Sequence, residues 1–182
     1  PRAPPRSVVA RQHPMPMGRR GRLRKITMRA SDVVDATSYL MKQSSVRDDA
    51  IAAVGFSQGA PAALAAVDNR GPSAELAAIV GWYPSCPVPI GQVTTPTLFL
   101  AGGADDWVPI DECRYLNGVN EGPKVVVFEN ATHAFDLRFK GTVTYKGYTL
   151  RHDSSATERS DAQTVEFIKE HLPRREAYLR NR

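Results

Sequence analysis

Three short stretches of the chain hold the residue types needed for nucleophilic catalysis. The first is Gly55-Phe56-Ser57-Gln58-Gly59, preceded by the apolar run AIAAV and followed by the Ala-rich run APAALAA. A serine two residues from a glycine on each side fits the pattern of a nucleophile on a sharp strand-to-helix turn. There the glycines leave room for strand and helix to approach. The hydroxyl stands above the sheet edge, where the helix N-terminus favours negative charge. A plain tight turn would carry the same residues. A serine hydroxyl is too weak an acid to attack a carbonyl unaided, so it needs a general base, and the base needs an acid to orient it. The second stretch, Gly102-Gly103-Ala104-Asp105-Asp106-Trp107-Val108-Pro109, offers two acids. The third, Ala131-Thr132-His133-Ala134-Phe135-Asp136, offers a histidine.

The elements between these stretches decide whether the three can meet. Residues 50–56, 75–83, 95–102 and 124–129 are short apolar runs that predict buried strands. Residues 58–67, 109–117 and 155–172 predict helices, as does the segment from Ser31 to Gln43 with Ser31 as its N-cap. Pro61 falls in the first turn of its helix, where a missing N–H costs little. In the closing helix Val165, Ile168 and Leu172 share one face, and Pro173 follows its end. Short apolar strands alternating with amphipathic helices predict the α/β class, a mostly parallel sheet with helices on both faces. Sites in such sheets lie beyond the carboxyl ends of the strands. Ser57, Asp105 or Asp106, and His133 each follow the end of a predicted strand, in the chain order nucleophile, acid, base. Asp105 leads and Asp106 follows: a solvated turn with a helix-capping acid is the plainer reading for Asp106 and the lesser one for Asp105. Asp136 is a distant further acid. His13 lies in the N-terminal stretch, and His152 and His171 lie outside any strand-end loop, which predicts structural or exposed roles.

Charge divides the chain unevenly. The net +5 arises in residues 1–30, which hold nine Lys and Arg and no acid; the remainder has 15 basic and 19 acidic residues. Residues 1–25 are rich in Pro and Arg and lack any helical or strand period, which predicts a disordered basic segment. Residues 26–175 are expected to form one domain and 176–182 a charged tail. The basic segment has no interleaved aromatics and no nucleic-acid-binding module, which argues against nucleic acid as a partner. No apolar stretch approaches the roughly 18 residues of a membrane span. Two cysteines are too few for a disulfide scaffold, and their spacing fits no zinc motif.

Taken together, the elbow GFSQG, the acid loop GGADDWVP, the histidine loop ATHAFD and the segment GYTLRHDSSATERSDAQTVEFIKEHL resemble the dienelactone hydrolase family of α/β-hydrolases, over about residues 26–172. The resemblance implies an α/β-hydrolase-like fold with Ser57 as nucleophile, Asp105 as acid and His133 as base. It also implies the backbone N–H of Gln58 as an oxyanion donor. No metal or organic cofactor is implied, and the expected substrate is a small ester or lactone. Dienelactone hydrolases proper carry cysteine at the elbow, so serine here points to a more general ester hydrolase. The family's first strands, and the loop bearing its second oxyanion donor, have no counterpart in residues 1–25. One sheet edge is therefore expected to lack a partner. The alternatives are a non-catalytic ligand- or partner-binding protein of the same fold, or an inactive fragment of such a hydrolase. Cys86 and Cys113 should lie near the ends of adjacent strands, where they either bridge or stay as free thiols. Trp82, Tyr83, Trp107 and Phe135 lie beside the same loops and either wall a substrate pocket or pack in the core.

Overall fold

The computed structural model describes residues 19–67, 73–86, 94–114 and 122–174. Its elements in chain order are α1 (Arg19–Met41), β1 (Ala52–Phe56), α2 (Gly59–Ala66), β2 (Ala78–Trp82), β3 (Thr97–Gly102), α3 (Asp111–Arg114), β4 (Lys124–Phe128), β5 (Thr142–Tyr145), β6 (Tyr148–Arg151) and α4 (Ser154–His171). Strands β1 to β4 form one parallel sheet in chain order, and β5 and β6 form a separate antiparallel hairpin. β2 and β3 are buried along their whole length, as their unbroken apolar sequences AIVGW and TLFLAG require in a sheet covered on both faces.

Alternate side chains feed two cores. On one face Ile79 and Phe99 pack with Ala60, Ala63 and Leu64 of α2 and Ala30 of α1. On the other Val80, Leu98, Leu100 and Trp82 pack with Phe128, Phe135 and Ala156, and with Phe167 and Ile168 of α4. This is the period-2 division of a strand between two faces.

The structure differs from the sequence reading at three places. α1 starts at Arg19, so Ser31 lies inside the helix, and residues 19–25, expected to be without structure, are helical. Ile26, Ala30 and Thr37 are buried and Val33, Val34 and Met41 partly so, a stripe at helical spacing that continues toward the N-terminus. Residues 1–18 and 175–182 lie outside the described residues, as do residues 115–117 of the third predicted helix, of which α3 (Asp111–Arg114) is the described part. In α4 the buried face runs through Ala156 and Ser160 toward Phe167 and Ile168, and Val165 is exposed. The Asp153 side chain caps this helix by accepting the Ala156 N–H at 2.9 Å. Finally, β5 and β6 occupy residues 142–151, where the sequence predicted no strand.

Candidate active site

Ser57 follows β1 directly and holds φ at +50°, a left-handed conformation uncommon for a residue with a side chain. Its N–H donates to the Trp82 carbonyl at 3.0 Å, carrying the β1–β2 pairing one step beyond the strand. The two glycines of the motif are not equivalent. A Cβ on Gly55 would lie 2.5 Å from the Ala60 nitrogen and the Gly59 carbonyl carbon, so the turn closes only over a bare Gly55. A Cβ on Gly59 would meet nothing within 4 Å. Gln58 precedes the first residue of α2, and its side-chain oxygen accepts a hydrogen bond from Arg29 of α1 at 3.0 Å.

Asp105 is 6% exposed and each of its oxygens has its own task. Oδ2 lies 2.7 Å from His133 Nδ1. Oδ1 accepts the N–H groups of Trp107 at 2.9 Å and Val108 at 2.8 Å. The turn-capping role and the histidine-orienting role therefore fall to one carboxylate. Charge-assisted bonds of this kind fix both partners more firmly than neutral ones.

His133 is 4% exposed, and its Nε2 lies 3.0 Å from Ser57 Oγ. With Nδ1 facing Asp105, Nε2 is the ring nitrogen that faces Ser57. The imidazole lies between two rings, with centroids 4.9 Å from Tyr83 and 4.9 Å from Trp107.

The acid and histidine loops are sewn together by their backbones. Gly103 N–H donates to the Phe128 carbonyl at 2.8 Å, and Ala104 N–H to the Ala131 carbonyl at 3.0 Å. A Cβ on Gly102 would come within 2.4 Å of the Ala131 oxygen, so this approach needs glycine. On the far side Thr132 Oγ1 accepts the Arg151 N–H at 2.9 Å, and His133 bridges to Leu150. The hairpin is thereby held against the histidine loop.

The remaining sequence-derived residues divide by location. Trp107 is half-buried at the site, and Tyr83, although buried, touches His133. Trp82 and Phe135 are core residues, stacked on one another at 5.6 Å, with the Trp82 indole N–H donating to Thr164 on α4. Asp106 points away from His133 and accepts the Thr149 N–H of the hairpin. Asp136 faces Tyr83, and one of its oxygens is buried with no hydrogen-bond partner among the described residues. Burial first, then the negative charge of the nearby Asp136, push the Tyr83 phenol well above its ordinary pKa. That phenol stays protonated. Cys86 and Cys113 are joined in a disulfide that ties the segment after β2 to α3, just beyond the acid loop. His152 and His171 donate to the Phe135 and Phe167 carbonyls, and His13 lies outside the described residues.

Sequence reasoning missed Tyr145 and Tyr148, which meet Trp107 at 5.7 Å and 4.9 Å between ring centroids. The available signal was Lys146-Gly147 between two runs of Tyr and Thr. Both turn residues take positive φ, +53° and +89°, as a two-residue hairpin turn demands. Among the described residues no group of three or more His, Cys, Asp or Glu could hold a metal ion. No helix among them is long and apolar enough to cross a membrane.

Comparison with known proteins agrees with this architecture. The model of a family described as the dienelactone hydrolase family matches residues 11–172. Among solved structures, the chain is similar to MGS-M1, an alpha/beta hydrolase enzyme from a Medee basin deep-sea metagenome library. The TM-score is 0.61 at 22% identity, over 79% of this chain and 64% of that one. The chain thus spans somewhat less than two thirds of the length of that structure. No curated protein matches it.

Proposed function

This chain belongs to the dienelactone hydrolase family, and on that premise we propose that it is a serine hydrolase acting on carboxylic esters or lactones through a Ser57-His133-Asp105 triad. The observation that carries this reading is the continuous hydrogen-bonded line from Asp105 Oδ2 through His133 to Ser57 Oγ, at 2.7 and 3.0 Å. Its acid is buried and its remaining oxygen is already satisfied.

The roles follow from the chemistry. Ser57 Oγ attacks the ester carbonyl carbon as its proton passes to His133 Nε2. Asp105 holds the imidazole in the tautomer that leaves Nε2 open, and it stabilises the imidazolium once formed. The Gln58 N–H, directly after the nucleophile, is the proposed donor to the oxyanion. His133 then gives its proton to the departing alkoxide. Water, deprotonated in turn by His133, cleaves the acyl-enzyme and restores Ser57.

A fluorophosphonate probe tests the reading. In a folded sample Ser57 should be labelled and ester hydrolysis should vanish on Ser57→Ala. A folded protein that resists the probe and turns over no ester would instead be a non-catalytic binding protein of this fold.

A further inference from the structure

The adjacent acids of the loop after β3 point in opposite directions. Asp105 turns inward to His133, whereas Asp106 is exposed and both its oxygens accept the Thr149 N–H at 3.0 Å. Thr149 follows Tyr148 on β6. The Tyr148 ring lies flat on Trp107, with centroids 4.9 Å apart and planes within 5°. Trp107 follows Asp106, and its ring lies 4.9 Å from the His133 imidazole. Three consecutive residues therefore link the histidine, the hairpin and an aromatic wall.

Among the described residues, the hydrogen bonds that hold the hairpin to the site come from β6. β6 is anchored by Asp106, by the bridge from Leu150 to His133 and by the bond from Arg151 to Thr132. On β5 Thr142, Thr144 and Tyr145 are exposed, and Tyr145 adds a third ring 5.7 Å from Trp107. Of the two rings that flank the imidazole, Tyr83 is buried at 6% exposure and Trp107 is half-buried, so Trp107 is the one a bound group can reach.

The chemistry fixes which part of a substrate lies there. Under the hydrolase reading, on which this inference rests, His133 Nε2 delivers its proton to the leaving oxygen. The alcohol portion must therefore leave from beside the imidazole. We propose that Asp106 is a positioning residue that clamps the β5–β6 hairpin so that Tyr148 backs Trp107 against His133, and that this aromatic wall selects esters whose alcohol portion is flat and apolar. Ring-on-ring contact rewards a planar π-face over a saturated ring of the same size.

The test compares benzyl butyrate with cyclohexylmethyl butyrate, two esters with the same acyl group and alcohols of similar size. Wild type is expected to favour the benzyl ester about three- to tenfold in kcat/KM, chiefly through KM. Asp106→Ala and Tyr148→Leu should both bring that ratio close to one. Asp106→Asn, which keeps an acceptor oxygen for Thr149, should retain most of the preference. Labelling of Ser57 by the fluorophosphonate verifies that each variant is folded. An unchanged ratio in both labelled variants, or no benzyl preference in an active wild type, overturns the proposal. A wild type that neither labels nor turns over either ester overturns the hydrolase reading itself, and this inference with it.

Discussion

The two flanks of the sheet are built to different standards. At the β3–β4 flank the acid loop, the histidine loop and the hairpin cross-link one another through backbone bonds, the Asp106 clamp and the Thr132–Arg151 pair. At the β1 flank the outer strand has no further strand partner among the described residues. Val54 and Phe56 of that strand are 42% and 47% exposed. The register explains the contrast. Val54 pairs with Val80 and Phe56 with Trp82, so all four project from the same face. α4 covers that face over β2 and β3 and leaves Val54 and Phe56 of β1 exposed. Asp105 and His133 are therefore held by redundant contacts, whereas Ser57 is held by its own turn against α2 and by its N–H bond to the Trp82 carbonyl. An uncovered outer strand is also a template for pairing with another chain.

Three experiments sharpen or break this contrast. The largest effect is expected from the disulfide, which fastens the segment after β2 to the region beyond the acid loop. Replacing Cys86 and Cys113 together by Ala opens a covalent loop with a sequence separation of 27. The expected loss is about 3–4 kcal/mol of stability, read from urea unfolding with and without reductant. A loss below about 1 kcal/mol would mean that the loops hold themselves together without the bridge.

Next comes Gly102→Ala. Its Cβ is driven against the Ala131 carbonyl, and that loop carries His133. A displacement of about 1 Å there should lower ester hydrolysis about a hundredfold, and the overpacking should cost about 1–3 kcal/mol in urea unfolding. A fully active variant would show that the acid and histidine loops can separate without cost, against the redundancy inferred for that flank.

The smallest effect is expected at the open flank, where a matched pair calibrates the difference. Val80→Thr places a hydroxyl at a fully buried position and should cost about 1–3 kcal/mol. Val54→Thr, at its register partner, should stay within about 0.5 kcal/mol. Equal losses at the two sites in thermal unfolding would mean that something covers β1 in solution.

Much of the site was legible before any geometry. The strands ending near Phe56, Gly102 and Phe128 are apolar runs, and loops after parallel strands must emerge on one side of the sheet. Ser57, Asp105 and His133 lie at those ends, and the structure brings them within hydrogen-bonding distance. Other features were not legible. β5 and β6 are four residues each, β5 largely exposed and β6 with a single buried residue, Leu150, so neither carries an apolar run to mark it. The start of α1 is hidden by arginines, which suit a helix as well as a disordered segment. Trp82 and Phe135 stand in the same sequence neighbourhoods as Tyr83 and Trp107, yet only the latter two touch His133. Alternation along a strand or around a turn decides that, and it depends on register.

The sequence by itself determined the α/β alternation, the order nucleophile, acid, base, and the placement of each at a strand end. Those properties follow from local hydrophobic pattern and chain direction. Only the tertiary structure decided which of two adjacent aspartates serves the histidine, because that choice depends on where His133 and Thr149 lie in space. Only it distinguished the necessary Gly55 from the unencumbered Gly59, since a clash exists only between segments already packed. It also decided that Cys86 and Cys113 meet and that a hairpin presses an aromatic stack onto the site. Each is a contact between residues distant in the chain, and local pattern does not encode such distances.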